Sequence, residues 1–208
     1  MSDAPHDPTS DEQLMLACSQ GSAEALTELF RRYQQPIHGF FRRRINDPAR
    51  AEELTQETFL ALLRSASRYE PRALFRTYLY AVALKILRAY RRKAVFRAAF
   101  MGRPETIPDP AQHDATETGL WVRRAVAQLE ATDREILLLR EFEQLSYAEI
   151  AELLNLAVNT VRSRLFRARI ALRELLKPSL SPTAADPVMQ AASGSGNPQM
   201  ITTKGQRA

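Results

Sequence analysis

A segment rich in helix-breaking residues divides the chain, and this division limits the possible folds more than any other feature. The helix-breaking residues in 101–116 are Gly102, Pro104, Pro108 and Pro110. Proline lacks the amide hydrogen that a helix interior needs, so the segment predicts a flexible, extended linker. Residues 11–100 and 117–177 on either side follow helical patterns. We therefore expect two small helical domains, called here the first block (11–100) and the second block (117–177).

Composition favours an all-α protein. The 208 residues include only 7 glycines, and leucine, alanine, arginine and glutamate are abundant, which favours helix over sheet. The formal net charge of +5 suits a polyanionic partner but is also compatible with a merely soluble protein. Cys18 is the single cysteine, so we expect a partly buried structural thiol, without an intramolecular disulfide or a cysteine-based zinc site.

The two ends of the chain are expected to be disordered. Residues 1–10 are polar and do not resemble a secretory signal. Residues 178–208 contain four prolines and few large apolar side chains, too few to offset the entropy of ordering. The longest apolar stretches, 78–84 and 136–139, are far shorter than the ~20 residues that cross a bilayer. We therefore expect a cytoplasmic protein without membrane insertion.

The first block has the pattern of a bundle of about four helices. Residues before proline are disfavoured in helices, so Asp47–Pro48 and Glu70–Pro71 indicate breaks before the third and fourth helices. Helical spacing of apolar residues predicts the core faces. The predicted core residues are Leu26, Leu29, Phe30, Tyr33, Leu54, Phe59, Leu62 and Leu63.

The second block contains two capping-box patterns and a helix-turn-helix. The patterns Thr132–Glu135 and Ser146–Glu149 each predict the start of a helix. After Ser146 we expect a helix over 147–154, a turn over 155–157 and a second helix from Val158 to about Leu176. Asn155 stands where such a turn needs a left-handed backbone, which asparagine tolerates.

The second helix of this motif is the candidate for contact with DNA. Its predicted core face consists of Val161, Leu165, Ala168 and Leu172. The opposite face and its flanks carry Asn159, Arg162, Ser163, Arg164 and Arg167. Arginine can bond guanine edges or phosphates, and serine and asparagine can bond either. A solvated basic helix face is the alternative interpretation.

A second basic region occurs in the first block, where aromatic and basic residues alternate. The predicted buried face of this helix is Leu79, Val82, Ala83, Ile86 and Tyr90. Lys85, Arg88 and Arg92 share the opposite stripe, with Arg91 beside it, which suits contact with phosphates. An exposed aromatic side chain such as Tyr78 can stack on unpaired bases. Packing in the core explains any one of these aromatic residues equally well.

Three motifs resemble those of one protein family. Residues 51–59, Ala-Glu-Glu-Leu-Thr-Gln-Glu-Thr-Phe, resemble the polymerase-binding motif of extracytoplasmic-function (ECF) RNA polymerase sigma factors. Residues 161–169, Val-Arg-Ser-Arg-Leu-Phe-Arg-Ala-Arg, resemble their recognition helix, and 145–151 are similar to the helix before it. The resemblance covers 11–177, with the motifs and the linker in the same order.

The resemblance implies a role for each domain. The first would be sigma domain 2, which binds core RNA polymerase at the coiled coil of its largest catalytic subunit, and captures and melts the downstream promoter element. The second would be sigma domain 4, which reads the upstream element, and an anti-sigma factor is an implied further partner. The implied polymerase surface is Glu52, Glu53, Gln56 and Glu57, for which a solvated acidic face is the alternative. The implied upstream contacts are Arg162, Ser163, Arg164 and Arg167.

The sequence departs from the family pattern at several positions. Tyr78–Leu79 stands where the family usually has Trp-Leu. Residues 83–85, Ala-Leu-Lys, stand where it has Ala-Arg-Asn, and Ala89 replaces an expected aspartate. Asn155 stands where the family has a glycine in the turn. Lys85 adds a cation, which should strengthen contact with phosphate.

Two other classes of function fit the sequence less well. A helix-turn-helix regulator that does not act as the sigma subunit would account for the second block only. An enzyme has no support, because the three histidines occur in unrelated contexts and the sequence shows no phosphate-binding glycine loop or metal-ligand cluster. We expect no catalytic residue, cofactor or metal.

Overall fold

The computed structural model describes residues 9–45, 47–101 and 117–177. All secondary structure in these ranges is helical, as predicted. The helices are α1 (Asp11–Ser19), α2 (Ala23–Arg42), α3 (Pro48–Ser65), a 3₁₀ turn (Ala66–Arg68), α4 (Phe75–Met101), α5 (Glu117–Gln128), α6 (Ala131–Glu141), α7 (Tyr147–Leu154) and α8 (Val158–Leu175). The predictions for residues 1–8, for the linker after Met101 and for the tail 178–208 lie outside the described residues.

Short polar side chains begin several of these helices. Ser22 and Asp47 accept hydrogen bonds from the backbone amides of Ala25 and Arg50, at 3.1 Å in both cases. Asp47 precedes Pro48, the first residue of α3, a position where proline costs no helical hydrogen bond. The break predicted at Asp47–Pro48 is therefore confirmed.

Helix α6 begins earlier than predicted. Its N-cap is Glu130, whose carboxylate accepts hydrogen bonds from the amides of Thr132 and Asp133 at 3.1 Å. The prediction of a capping box at Thr132–Glu135 is therefore wrong. The Glu135 carboxylate bonds Arg44 instead of the backbone at the helix start.

Helices α1 to α4 pack around an aromatic and aliphatic core. Helix α2 contacts α1 and α3, and α4 contacts α3, α1 and α2. The largest fully buried side chains of this block are Met15, Leu29, Ile37, Phe40, Phe41, Leu62, Phe75, Leu79 and Leu87. Burial of so much apolar surface is the main force that holds these helices together.

Two residues predicted for this core lie at its margin. Phe30 and Leu63 are 39% and 45% exposed. Each follows a fully buried leucine, Leu29 or Leu62, and a helix turns by about 100° from one residue to the next. Their side chains therefore point away from the centre of the buried stripe. The Phe30 ring still packs edge-on against Phe59, with 4.8 Å between centroids.

In the second block, α6 and α7 pack against α8. The predicted core face of α8 is confirmed, because Val161, Leu165 and Ala168 are buried and Leu172 packs against them. The predicted bounds of the helix-turn-helix are also confirmed to within one residue. Asn155 ends α7 with φ 54° and ψ 52°, a left-handed conformation.

The buried residues of the two blocks belong to one continuous core. Helix α4 contacts α7 directly, and the described residues up to Lys177 form one compact unit. None of the described helices is long and apolar enough to cross a membrane.

The left-handed Asn155 provides a stability test of the helix-turn-helix. We expect Asn155→Gly to leave the free energy of unfolding nearly unchanged, because glycine adopts positive φ without strain. Asn155→Val should lower it by about 1–2 kcal/mol, because the Cβ substituents of valine clash in this region. Urea unfolding followed by circular dichroism measures both. Equal stabilities of the two variants would show that the turn can change its conformation.

Candidate polymerase and nucleic-acid interfaces

The four candidate polymerase contacts lie together on the exposed side of α3. Glu52, Glu53, Gln56 and Glu57 are all exposed, whereas Leu54, Thr55, Thr58, Phe59 and Leu62 form the buried face. Of the four, Glu53 pairs with Arg50 on the same helix. Ion pairs this exposed contribute little to stability, so the acidic surface is open to a partner.

Apolar side chains extend this surface, which sequence analysis did not predict. Leu60 is 52% exposed, and Leu63, predicted to be core, is 45% exposed. Leu60 follows Gln56 by four residues and Glu57 by three, so the three side chains are neighbours along the helix. This spacing is the sequence signal that Leu60 extends the acidic surface. The exposed leucines give this surface the apolar area that the core of a protein-protein interface needs.

The predicted basic stripe of α4 is exposed along its length. Lys85, Arg88 and Arg92 are all exposed, and none makes an ion pair with a described residue. Arg91 is also exposed, but desolvation lowers the pKa of its guanidinium and nearby Glu135 opposes this effect. Arg91 therefore lies beside the second block rather than on the open stripe.

Tyr78 lies in a cleft between α4 and α7, which we call the inter-block cleft. The cleft has a volume of about 560 Å³. Its lining includes Arg68, Tyr69, Arg72, Tyr78, Arg88, Glu152 and Leu153. The sequence does not predict this cleft, because its walls come from both blocks.

The aromatic wall of the cleft is held in place by hydrogen bonding and ring packing. The Tyr78 hydroxyl is 2.7 Å from the Ser65 hydroxyl, and its ring lies 5.1 Å from that of Tyr69. The buried Tyr69 hydroxyl has no hydrogen-bond partner among the described residues. The half-buried Tyr78 thus has one side in the packed wall and one side open to the cleft.

On α8, four of the five candidate DNA contacts are exposed. These are Asn159, Arg162, Ser163 and Arg167. The Arg162 guanidinium lies 5.9 Å from the centre of the Tyr147 ring, and the Ser163 hydroxyl donates to the Thr160 carbonyl at 3.1 Å. Exposed Phe166, 65% accessible, lies beside Arg167 and was not predicted.

Arg164 differs from the other candidates because it makes ion pairs inside its own block. Its Nη1 atom lies 2.8 Å from an Asp133 carboxylate oxygen and 3.0 Å from one of Glu130. The hydrogen bond to Asp133 is the main cause of a raised Arg164 pKa. Arg164 therefore ties α8 to the first turn of α6. Arg167 has no ion pair with a described residue and is the freest of these cations.

The described residues contain no group of three or more histidine, cysteine, aspartate and glutamate side chains that could hold a metal ion.

Two family models match this chain, one within each block. The family model for Sigma-70 region 2 matches residues 29–96, and the model for Sigma-70 region 4 matches residues 119–172. The RNA polymerase sigma-H factor of Pseudomonas aeruginosa is 31% identical over 184 residues, covering 82% of this chain and 95% of that protein. The chain belongs to the ECF family of RNA polymerase sigma factors.

Other relatives agree with this assignment. The ECF RNA polymerase sigma factor SigC of Mycobacterium tuberculosis is 34% identical over 162 residues, covering 76% of this sigma factor and 87% of SigC. This sigma factor directs core RNA polymerase to promoters for the initiation of transcription. Nothing in the comparisons favours the alternative of a separate helix-turn-helix regulator.

Solved structures share the fold. A structure of CnrH in complex with the cytosolic domain of CnrY has a TM-score of 0.61 at 24% identity, covering 80% of this chain and 96% of that one. The sigma factor RpoE of Bartonella quintana, in complex with the anti-sigma factor NepR, has a TM-score of 0.59 at 22% identity, covering 72% and 95% of the two chains.

Proposed function

We propose that the two blocks of this sigma factor perform different parts of promoter recognition. The first block, residues 11–100, acts as sigma domain 2, and the second, residues 117–177, acts as sigma domain 4. The observation that carries this proposal is the separation of charge in the first block. Acidic side chains are exposed on α3, and Lys85, Arg88 and Arg92 are exposed on α4 without an ion pair to a described residue. This separation suits one protein partner and one nucleic-acid partner.

In this proposal, α3 binds the coiled coil of the largest catalytic subunit of the polymerase. Glu52, Glu53, Gln56 and Glu57 provide the polar contacts, and Leu60 provides an apolar one. All five are exposed in the free protein, so binding does not require the core of the block to rearrange. Apolar area at the centre of an interface contributes more to affinity than charges at its rim.

The basic stripe of α4 follows the phosphates of the downstream promoter element. Lys85, Arg88 and Arg92 project on one side of the helix, with Arg91 next to them. Tyr78, at the inter-block cleft, offers a ring on which a base can stack after the strands separate. We assign phosphate contacts to the stripe because a row of exposed cations attracts the DNA backbone. Such contacts give affinity rather than sequence selectivity.

The exposed face of α8 reads the upstream element in the major groove. Asn159, Arg162, Ser163 and Arg167 contact DNA directly. Arg164 joins them only if DNA competes with Asp133 and Glu130 for its guanidinium, whose present contacts are 2.8 and 3.0 Å long. We therefore rank Arg167 above Arg164 as a specificity residue.

Two further properties complete the proposal. The sigma factor itself catalyses no reaction, since RNA synthesis belongs to the polymerase, and it acts in the cytoplasm with that partner. An anti-sigma factor controls it, as the complexes of CnrH with CnrY and of RpoE with NepR suggest by similarity. The overall test is run-off transcription with purified core polymerase on a library of genomic fragments. Start sites that appear only when the sigma factor is added would support the proposal.

The polymerase surface can be tested by charge reversal. We expect Glu53→Lys with Gln56→Ala to weaken co-purification with core polymerase at least tenfold, because both side chains lie at the centre of the acidic surface. Stability should change by no more than ~0.5 kcal/mol at each site, since both are exposed. The matched control is Glu24→Lys with Gln35→Ala on α2, where both residues are also exposed. Equal retention by the two double variants contradicts the assignment.

The phosphate stripe can be tested through salt dependence. Replacing Lys85, Arg88 and Arg92 together by alanine should reduce open-complex formation to a similar extent on different promoters. The slope of log affinity against log salt should become shallower by up to about three, one for each lost phosphate contact. Arg31→Ala, an exposed cation on α2, should leave the slope unchanged. A defect confined to some promoters would instead indicate that the stripe reads bases.

The specificity residue can be tested with base variants of the upstream element. We expect Arg167→Ala to cost ~1–3 kcal/mol of binding free energy and to relax the preference at one base position. Arg173→Ala, two turns closer to the end of α8, should weaken binding to all variants alike. Holoenzyme binding to a set of single-base variants measures both. A uniform loss in Arg167→Ala means that Arg167 holds a phosphate.

A further inference from the structure

Tyr147, the first residue of α7, contacts basic side chains of both neighbouring helices. Its side chain is half-buried and packs against the buried core. The centre of its ring lies 5.2 Å from the Arg140 guanidinium, on α6, and 5.9 Å from the Arg162 guanidinium, on α8. Both distances are within the ~6 Å over which an aromatic ring attracts a cation.

The ring projects from a fixed piece of backbone. Ser146 and Glu149 form the predicted capping box, in which the Ser146 hydroxyl accepts from the Glu149 amide at 3.2 Å and the Glu149 carboxylate accepts from the Ser146 amide at 2.7 Å. Arg140 is also held, because its Nη1 atom donates to the Leu145 carbonyl at 2.9 Å. These bonds fix the first turn of α7 and therefore the place from which the Tyr147 side chain extends.

The hydroxyl of Tyr147 lies close to a third cation. Arg169 pairs with Glu141 at 2.6 Å, and this hydrogen bond is the main cause of a raised Arg169 pKa, to which the Tyr147 hydroxyl also contributes. Arg162 and Arg169 are about two helical turns apart and so share one side of α8. Tyr147 therefore runs along this side of α8, with its ring near Arg162 and its hydroxyl near Arg169.

Arg162 has little else to hold its guanidinium in place. Its side chain is exposed and makes no hydrogen bond or ion pair with a described residue, whereas Arg164 is paired with Asp133 and Glu130. A long exposed side chain samples many rotamers, and ordering it on binding reduces affinity. The contact with the Tyr147 ring restricts these rotamers before DNA is bound.

We infer that Tyr147 is a positioning residue, whose ring holds the Arg162 guanidinium in the orientation that reads a base of the upstream element. The inference rests on the proposed function, which places Arg162 in the major groove. Arg162 lies within the first two turns of α8, and the residues near the start of a recognition helix are those that reach base edges. A bidentate bond to guanine also requires the plane of the guanidinium to be aligned with the base. Tyr147 provides this alignment without touching DNA itself.

A double-mutant cycle of Tyr147→Leu and Arg162→Ala tests the inference. Binding of the reconstituted holoenzyme is measured on single-base variants of the upstream element, where Arg162→Ala should relax the preference at one base position. Tyr147→Leu should relax the preference at the same position and weaken binding to the preferred element about two- to tenfold, which corresponds to the ordering of one long side chain. In the Arg162→Ala background, Tyr147→Leu should have no further effect, because no guanidinium remains to be oriented.

Three further variants serve as controls. Tyr147→Phe keeps the ring without the hydroxyl and should retain the base preference. Phe142→Leu makes a similar change elsewhere in the same block and should also leave the preference unchanged, because the exposed Phe142 ring lies 4.7 Å from Arg43, which is not a candidate DNA contact. Urea unfolding followed by circular dichroism checks the fold of each variant. Tyr147→Met, which fills the space with a flexible side chain, replaces Tyr147→Leu if leucine disrupts the fold.

The outcomes separate the positioning role from the proposed function. An unchanged base preference in Arg162→Ala contradicts the assignment of Arg162 as a base-reading residue, and the inference fails with it. A preference that changes in Arg162→Ala but not in Tyr147→Leu overturns the positioning role alone.

Two other results would also overturn the positioning role of the ring. A uniform loss of affinity in Tyr147→Leu that adds to the loss in Arg162→Ala means that Tyr147 contacts DNA directly. An equal loss of preference in Tyr147→Phe means that the hydroxyl, and not the ring, is required. A preference that is lost at the Arg162 position in Tyr147→Leu, is retained in Tyr147→Phe and shows no added loss in the double variant supports the inference.

Discussion

The packing of α4 is the contact on which the rest of this structure depends. Phe75, Leu79, Ala83 and Leu87 follow one another every four residues, and all are fully buried. Because this spacing is close to the helical repeat, the four side chains form one stripe that contacts α1, α2 and α3. Lys85, Arg88 and Arg92 therefore lie on the opposite, exposed side of α4. The same burial that closes the core of the first block therefore also orients its candidate DNA-binding stripe.

Helix α3 has a polar outer face, and its buried face also carries polar groups that need hydrogen-bond partners. Its buried face includes Thr55 and Thr58, whose hydroxyls donate to the carbonyls of Ala51 and Leu54 at 2.7 and 2.8 Å. These bonds satisfy the hydroxyls within the helix, as buried polar groups require. The outer face is then free to present acidic residues and Leu60. In the proposed function, the opposite charges on α3 and α4 keep the protein partner and the nucleic-acid partner on separate surfaces.

The contact between the blocks has another chemical character. It combines apolar packing with carboxylate-arginine pairs buried from water, of which Glu143 and Arg44 are the most enclosed. Apolar contacts tolerate small shifts, whereas buried charges require their partner at hydrogen-bond distance. The contact is therefore specific without being strongly stabilising.

The sequence by itself determined that both blocks are helical, where α3 starts, the bounds of α7 and α8 and the faces of α8, since capping and amphipathic periodicity act within about four residues along the chain. The left-handed turn at Asn155 and the burial of Val161 and Leu165 follow from such local rules. Helical spacing and charge supplied the candidate DNA contacts, and family resemblance supplied the candidate polymerase surface. Only tertiary structure decided that Arg164 pairs with Asp133, or that Glu143 meets Arg44, a partner 99 residues away. No local pattern encodes these pairs, because they depend on how whole helices pack once hydrophobic burial brings them together.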